Sequence, residues 1–283
     1  VRAIHDTLAI EGSTLSMDQV TAILDGRRVA GPALEIREAK NAVRVYRMVE
    51  TFDPLSVESL LEAHAVMMEG LHPEAGRWRS GSVGIVRGAE VAHVAPKAAR
   101  VKPLIEELLT FLRDDGVTHP LIKACVAHYE IEFIHPFADG NGRVGRLWQH
   151  LVLLRYHPAF RYVPVESVIR DRQQEYYRVL GESDRAGDST RFVEFSLGAI
   201  VEALDELVES SDLRARDAEA RLELASHRFG EAWFTRKDYV AVVRAISGAT
   251  ASRDLRRGVE SGKLEKEGER AVTRYRYRKR RDG

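Results

Sequence analysis

The sequence predicts a mainly α-helical chain: a large helical domain carrying one β-hairpin, followed by a small domain of helices with a two-stranded tip. Three observations carry this. Before residue 210, most segments repeat their apolar residues at helical spacing. In that region only residues 76–96 concentrate glycines and β-branched residues. Beyond a charged stretch at 212–223, a short helix-turn-helix pattern gives way to strand-turn-strand. The predicted division is 1–211 for the large domain, 212–231 for a helical connector and 232–283 for the small domain.

From the N-terminus, His5 to Gly12 reads H-D-T-L-A-I-E-G, and taken alone Glu11 reads as a solvated loop acid. Ser16 followed three later by Gln19 is a capping box opening a short helix to about Gly26. Residues 34–52 form an amphipathic helix through Ile36, Val43, Met48 and Val49, which Pro54 ends. Ser56 caps the next helix, in which His64 reads as a packed core histidine and Met67–Met68 as core filling. Residues 82–86 and 90–94 are strands around a turn near Gly88. Helices follow at 97–114 and 121–133, the second strongly apolar and carrying Cys125, His128, Tyr129 and Glu132. Residues 160–168 read as irregular; helices start again at Asp171 and at Arg191.

The chemistry concentrates in Ile134 to Arg146, I-H-P-F-A-D-G-N-G-R-V-G-R. A glycine-rich turn running into an apolar helix suits phosphate, because unbonded N–H groups and the helix dipole both favour an anion there. Arg143 and Arg146 stand three apart, on one helix face, and can grip neighbouring phosphates. Asp139 is a hard oxygen ligand for a divalent cation. His135 precedes the turn, where a general base meets a nucleophile.

The run His135-Pro136-Phe137-Ala138-Asp139-Gly140-Asn141-Gly142-Arg143-Val144-Gly145-Arg146 resembles the Fic-domain signature HPFx[DE]GNGRxxR at every specified position. The resemblance implies a helical Fic domain that transfers AMP from ATP, with Mg²⁺, onto a hydroxyl of a target protein. Doc-type kinases of that superfamily carry Lys where this chain has Gly142, so the match favours nucleotidyl transfer. It assigns His135 as base, Asp139 as metal ligand, and Gly140, Asn141, Gly142, Arg143 and Arg146 as phosphate binders, with Phe137 as the apolar anchor of the loop. Thr7-Leu8-Ala9-Ile10-Glu11-Gly12 resembles the family's inhibitory motif [ST]xxxE[GN], which sets Glu11 against Arg146. The hairpin, with Val83, Gly84, Ile85, Val91 and His93, resembles the family's flap, which holds a target by strand addition. One of Tyr176 and Tyr177 is expected against the adenine. Alternatives are an enzyme that also removes AMP, with Glu11 orienting water, and a DNA-binding regulator that uses the Fic unit as a nucleotide sensor.

Residues 250–264 resemble the second helix and wing entry of bacterial winged helix-turn-helix domains. The implied small winged-helix domain places Ser252, Arg253 and Arg256 toward a DNA groove, or serves as a protein-docking or dimerising module. The wing is read at 264–266 and 272–278 around Gly268.

Composition bounds the partners. Lys+Arg and Asp+Glu both number 43, so net charge favours neither nucleic acid nor membrane, although residues 270–283 are basic. A single cysteine, Cys125, excludes an internal disulfide and Cys-based zinc sites and fits a reducing, cytoplasmic setting. No apolar run is long enough to span a membrane. The chain starts at Val1, not Met.

Overall fold

A computed structural model describes residues 1–81, 84–87, 90–114, 116–216, 218–243, 246–268 and 273–278, with only the backbone described at 84–94 and 209–216. The chain divides into two compact units, Val1–Leu204 and Asp205–Gly283.

The first unit contains α1 (Arg2–Ile10), α2 (Met17–Leu24), α3 (Ala33–Arg47), α4 (Val57–Met67), β1 (Gly84–Arg87), β2 (Glu90–Val94), α5 (Ala98–Arg113), α6 (Pro120–Ile134), α7 (Asn141–Tyr156), α8 (Val165–Asp171) and α9 (Gln173–Ala186). Helix α10 (Thr190–Arg216) starts in it. The capping box at Ser16 and Gln19 is formed in both directions, as the sequence predicts. Two segments go beyond the sequence reading. Residues 2–10, given no element from the sequence, form helix α1, which no capping side chain announces. Residues 165–168, read as irregular, begin α8, which runs to Asp171. Both helices lack local start signals, and burial against each other stabilises them instead.

The α1–α8 contact is polar at its centre. Asp6 is fully buried; it accepts from Ser167 Oγ at 2.5 Å and pairs with Arg170. Along the other side, Ile4 and Leu8 join Leu15, Val20, Ile23, Ala39, Ala42 and Val43 in one apolar cluster with α2 and α3. Helix α1 is therefore fixed from two directions.

Helices α6 and α7 form the central pair. Helix α6 is buried nearly all round, as a helix that is apolar on every face must be, and Pro120 opens it at a position that needs no N–H. Trp148 on α7 is fully buried and donates from Nε1 to Pro54 O at 3.1 Å. Cys125 is packed between these helices, where burial raises its thiol to about 11.

In the second unit α11 (Ala218–Phe229), α12 (Arg236–Val243) and α13 (Gly248–Glu260) pack on a three-stranded antiparallel sheet in the order β3 (Phe234–Thr235), β5 (Arg274–Tyr277), β4 (Leu264–Glu267). The sequence reading placed two strands here; Phe234–Thr235 adds the third, pairing Phe234 with Tyr275. Leu222 and Ala225 of α11, in the stretch read as a connector, lie in this unit's core with Phe234, Tyr239, Leu255 and Leu264. Arg221 reaches Asp254 through two 2.6 Å bonds in that core, and Tyr239 donates to the same carboxylate at 3.2 Å. Among the described residues no helix is long and apolar enough to cross a membrane.

Two buried histidines support the helices around the motif, as packed residues. His64 of α4 stacks on Phe137, with ring centroids 3.7 Å apart and planes 5° apart. Its Nδ1 accepts from Gly76 N–H at 2.9 Å, so its Nε2 donates to Asp139 O at 3.0 Å. His128 of α6 contacts Gln149 Oε1 at 2.7 Å and the Tyr176 hydroxyl at 3.2 Å. Burial, with the Arg143 charge, lowers His64 to about 4 even though the Asp139 carbonyl and carboxylate oppose this. Burial and Arg146 lower His128 to about 3.

Both rings stay neutral in the folded chain, while the unfolded chain protonates them below about pH 6.5. The unfolded state thus binds more protons between that value and about 4, and stability falls as pH falls through this window. Each histidine is expected to contribute a slope of about 1.4 kcal/mol per pH unit. Denaturant unfolding at a series of pH values should show His64→Gln losing roughly one proton's worth of that slope; an unchanged slope would contradict a neutral, buried His64.

Candidate active site

The motif loop is shaped by side chains that touch no substrate. Helix α6 ends at Ile134, and His135 caps it in the left-handed region at φ 50, ψ 59. It is the one non-glycine residue with positive φ among the described residues. That conformation costs a β-carbon-bearing residue on the order of 1–2 kcal/mol, and surrounding contacts must hold it. Phe137 is fully buried between His64 and Trp78. Asn141 closes the loop on itself: its Oδ1 accepts from Phe137 N–H and its Nδ2 donates to Phe137 O, both at 2.9 Å. Gly140 is the N-cap of α7 at φ 81, and a β-carbon there would stand 2.8 Å from Met68 Sδ.

The Asn141 side chain, read from the sequence with the phosphate binders, is bonded at both ends to Phe137, which leaves its main-chain N–H for an anion. The N–H groups of Asn141, Gly142 and Arg143 precede the first intrahelical bond, from Val144 N–H to Gly140 O at 3.1 Å. They form the positive end of α7.

The two motif arginines have different partners. Arg143, 6% exposed, pairs with Glu38 of α3 at 3.0 Å and approaches Asp139 at 3.7 Å. Its Nε is buried and has no hydrogen-bond partner among the described residues. Arg146 donates from Nε to Thr7 Oγ1 at 2.9 Å, and from Nη2 to Thr7 O at 3.2 Å and Glu11 Oε1 at 2.5 Å. Burial works against the Arg146 charge, but Glu11, the nearby Tyr176 oxygen and Glu132 outweigh it and raise this guanidinium above its ordinary value.

Glu11 ends α1, and its C-terminal half is tied to α9: Ile10 O accepts from Gln173 Nε2 at 2.6 Å and from the Tyr177 hydroxyl at 3.4 Å. Beyond it, Ser13 and Thr14 bond to Glu35, with Thr14 N–H donating at 2.6 Å. The carboxylate then lies over Gly142, where a β-carbon would stand 2.6 Å from Glu11 Oε1 and 3.1 Å from Glu132 Oε1. A side chain at 142 would require the Glu11 carboxylate to shift.

Asp139 is exposed; its Oδ1 accepts from Gly140 N–H at 2.6 Å. Among the described residues no three His, Cys, Asp or Glu side chains form a metal cluster. One open carboxylate beside a phosphate-binding helix start suits a Mg²⁺ held largely by substrate phosphates, since that ion is commonly bound through one or two carboxylates plus phosphate oxygens.

Strands β1 and β2 pair as expected, Ile85 with His93 and Gly84 with Val94, with a register shift between Ile85 and Val86. Gly84, Ile85, Val91 and His93 lie in them; Ser82, Val83 and the turn at Gly88 lie outside the described residues. Strand β2 lies against α9, the helix of the tyrosine pair. Tyr176 is fully buried and donates to Glu132 Oε1 at 2.9 Å, which removes it as an adenine contact. Tyr177 is the half-buried member of the pair.

In the second unit Arg253 and Arg256 are exposed on α13, and Ser252 is half-buried, accepting from Arg236 at 3.1 Å and donating to Gly248 O at 2.9 Å. The β5 arginines are paired: Arg276 with Glu265 at 2.7 Å and Arg274 with Glu267 at 3.6 Å. Arg270, Val272 and residues 279–283 of the basic tail lie outside the described residues.

Sequence reasoning missed Thr7, Glu38 and Arg79. Thr7 was within reach, as the first residue of the six-residue run ending in Glu-Gly. Glu38 looked like any solvated helix acid, and Arg79 like a loop cation.

Comparison with known proteins agrees with this geometry. The Fic/DOC family profile matches residues 54–153. A Fic family protein from Desulfovibrio desulfuricans G20, solved by crystallography, superposes with a TM-score of 0.72 at 42% identity, covering 98% of this chain and 85% of that one. A protein adenylyltransferase fic-1 of Caenorhabditis elegans is 29% identical over 77% of this chain and 45% of its own length. A protein adenylyltransferase Fic of Nematostella vectensis is 27% identical over 78% of this chain and 52% of its own. The chain spans about half the length of the curated relatives it matches. With the full motif in place and a relative of 42% identity aligned along almost its whole length, this chain belongs to the Fic/DOC family.

Proposed function

We propose that the chain transfers AMP from ATP to the hydroxyl of a Ser, Thr or Tyr in a target protein, and that Glu11 restrains the activity. One observation carries this: a carboxylate from outside the motif lies over Gly142 at the start of α7, bonded to Arg146 at 2.5 Å. The chain's own anion holds the guanidinium that an outer phosphate would need. Relatives named protein adenylyltransferase support AMP as the group transferred.

The chemistry follows from the residues. The N–H groups of residues 141–143 face the α-phosphate, where negative charge grows as the nucleophile attacks. His135 accepts the acceptor's hydroxyl proton while the new P–O bond forms and the bond to pyrophosphate breaks. Arg143, through its unpartnered Nε, and Arg146 hold the outer phosphates and stabilise the leaving charge. Asp139 would hold Mg²⁺, which when bound neutralises phosphate charge. The edge of the β1–β2 hairpin holds an extended target segment by main-chain bonds. Tyr177 borders the adenine side. While Glu11 occupies Arg146, the γ-phosphate loses its cation and meets a negative carboxylate.

With α-³²P-ATP, Glu11→Gly is expected to raise auto-modification by about tenfold or more, equivalent to about 1.4 kcal/mol of barrier. Adding His135→Ala should return labelling to background with an unchanged circular-dichroism spectrum. No gain in Glu11→Gly would refute inhibition; full labelling without His135 would refute its role as base.

The second unit reads as a winged helix that contacts DNA through α13. Because Glu265 and Glu267 pair with the β5 arginines, phosphate contact falls chiefly on Arg253 and Arg256. Two such contacts predict a log–log salt slope of roughly −2 for binding to duplex DNA. Arg253→Ala with Arg256→Ala should flatten it. Absent or salt-independent binding of the full chain would favour a protein-docking role instead.

A further inference from the structure

Arg79 stands between the hairpin and the motif, and nothing in the family signature includes it. It is 3% exposed. Among the described residues its guanidinium donates to main-chain carbonyls alone: Nε to His135 O at 2.6 Å, Nη1 to Gly81 O at 2.7 Å, and Nη2 to Pro96 O and, at 3.3 Å, to Ile134 O. Its own N–H donates to Pro136 O at 3.0 Å. Gly81 precedes the hairpin and Pro96 follows it. Ile134 and His135 are the end of α6, where the helix leaves carbonyls without intrahelical donors and a partial negative charge. One planar fork therefore satisfies both feet of the hairpin and the strained turn that carries the imidazole.

We propose that Arg79 is a positioning residue: it fixes the base of the β1–β2 hairpin to the left-handed turn at His135, so that an acceptor docked on the hairpin and the imidazole share one frame. The geometry explains how a residue at φ 50 is retained next to reacting groups. The His135 carbonyl is held by a charged donor, and the carbonyls at either foot of the hairpin are held by the same cation. Lysine cannot replace the fork. Its three donors radiate from one nitrogen, whereas these acceptors are spread around a plane. An error of about 1 Å between acceptor and base costs transfer on the order of a hundredfold without weakening nucleotide binding.

The catalytic part of this inference rests on the AMP-transfer reading; the structural tie does not. The test compares Arg79→Lys with the unmodified chain, both well below their melting temperatures. The His135 ring signals, assigned with His135→Ala, are followed by NMR, and main-chain hydrogen exchange is measured along the chain. The tie requires the His135 signals to move and exchange in 84–94 to rise by about tenfold, with exchange in α7 and α9 unchanged. Unmoved His135 signals, unchanged hairpin exchange, or a uniform rise along the whole first unit would each overturn it. In the Glu11→Gly background, Arg79→Lys should then lower kcat for labelling by about tenfold or more while the KM for ATP stays within about twofold. An unchanged kcat, or a loss confined to KM, would overturn the positioning role. If Glu11→Gly itself transfers no AMP, the enzymatic reading fails, and the NMR and exchange results still decide the tie.

Discussion

The site depends on one buried cation. Arg146 is 3% exposed, deep between α6, α7 and α1, and a guanidinium in such a place must be paired or pay heavily in lost hydration. Among the described residues its hydrogen-bond partners come from α1 and the residue that caps it: the Thr7 hydroxyl, the Thr7 carbonyl and the Glu11 carboxylate. Helix α1 cannot leave as a body without stranding it. Ser167 and Arg170 of α8, which bond Asp6, Gln173 of α9 and the apolar cluster with α2 and α3 hold that helix in place. The two Thr7 bonds keep the guanidinium oriented whatever Glu11 does. Glu11, by contrast, caps the helix one residue past its end and keeps 35% of its side chain exposed. A carboxylate so placed can leave Arg146 without breaking the Thr7 bonds, the arrangement that the proposed restraint by Glu11 requires.

The second theme is that the motif spends as many residues on its own shape as on anything it binds. Phe137 and His64 stack; Asn141 ties off the Phe137 backbone; Gly140 clears Met68. These contacts leave the N–H groups of α7 facing outward, already ordered, so binding an anion costs little reorganisation. His64 contributes only while neutral, because its Nδ1 must accept and its Nε2 must donate.

Much of this was legible in the sequence, and the failures have physical reasons. The motif, the capping box at Ser16, the hairpin and the Thr7–Gly12 run that meets Arg146 are local patterns, each set by residues adjacent in the chain. Helices α1 and α8 are made by contact with each other, through Asp6, Ser167 and Arg170. No window of sequence around either contains that information. The tyrosine pair was legible as a pair but not in its division of labour: which ring is buried depends on Glu132 and His128, some 45 residues away. The Asn141 side-chain clasp was not legible, because an amide beside glycines suits a phosphate ligand and a loop clasp equally well, and only the position of Phe137 reveals the clasp. Arg79 carries no signal at all, since its partners are main-chain carbonyls, which every residue has.

The central claim is that Glu11 and the terminal phosphates of a nucleotide compete for Arg146 while the rest of the site is indifferent. Calorimetric binding of ATP and of AMP to the unmodified chain and to Glu11→Gly tests it directly. Because AMP lacks the outer phosphates, its affinity should be the same in both proteins, whereas ATP should bind the Glu11→Gly protein tighter by about tenfold, about 1.4 kcal/mol. Equal ATP affinities, or an equal gain for AMP, would contradict a contest at Arg146.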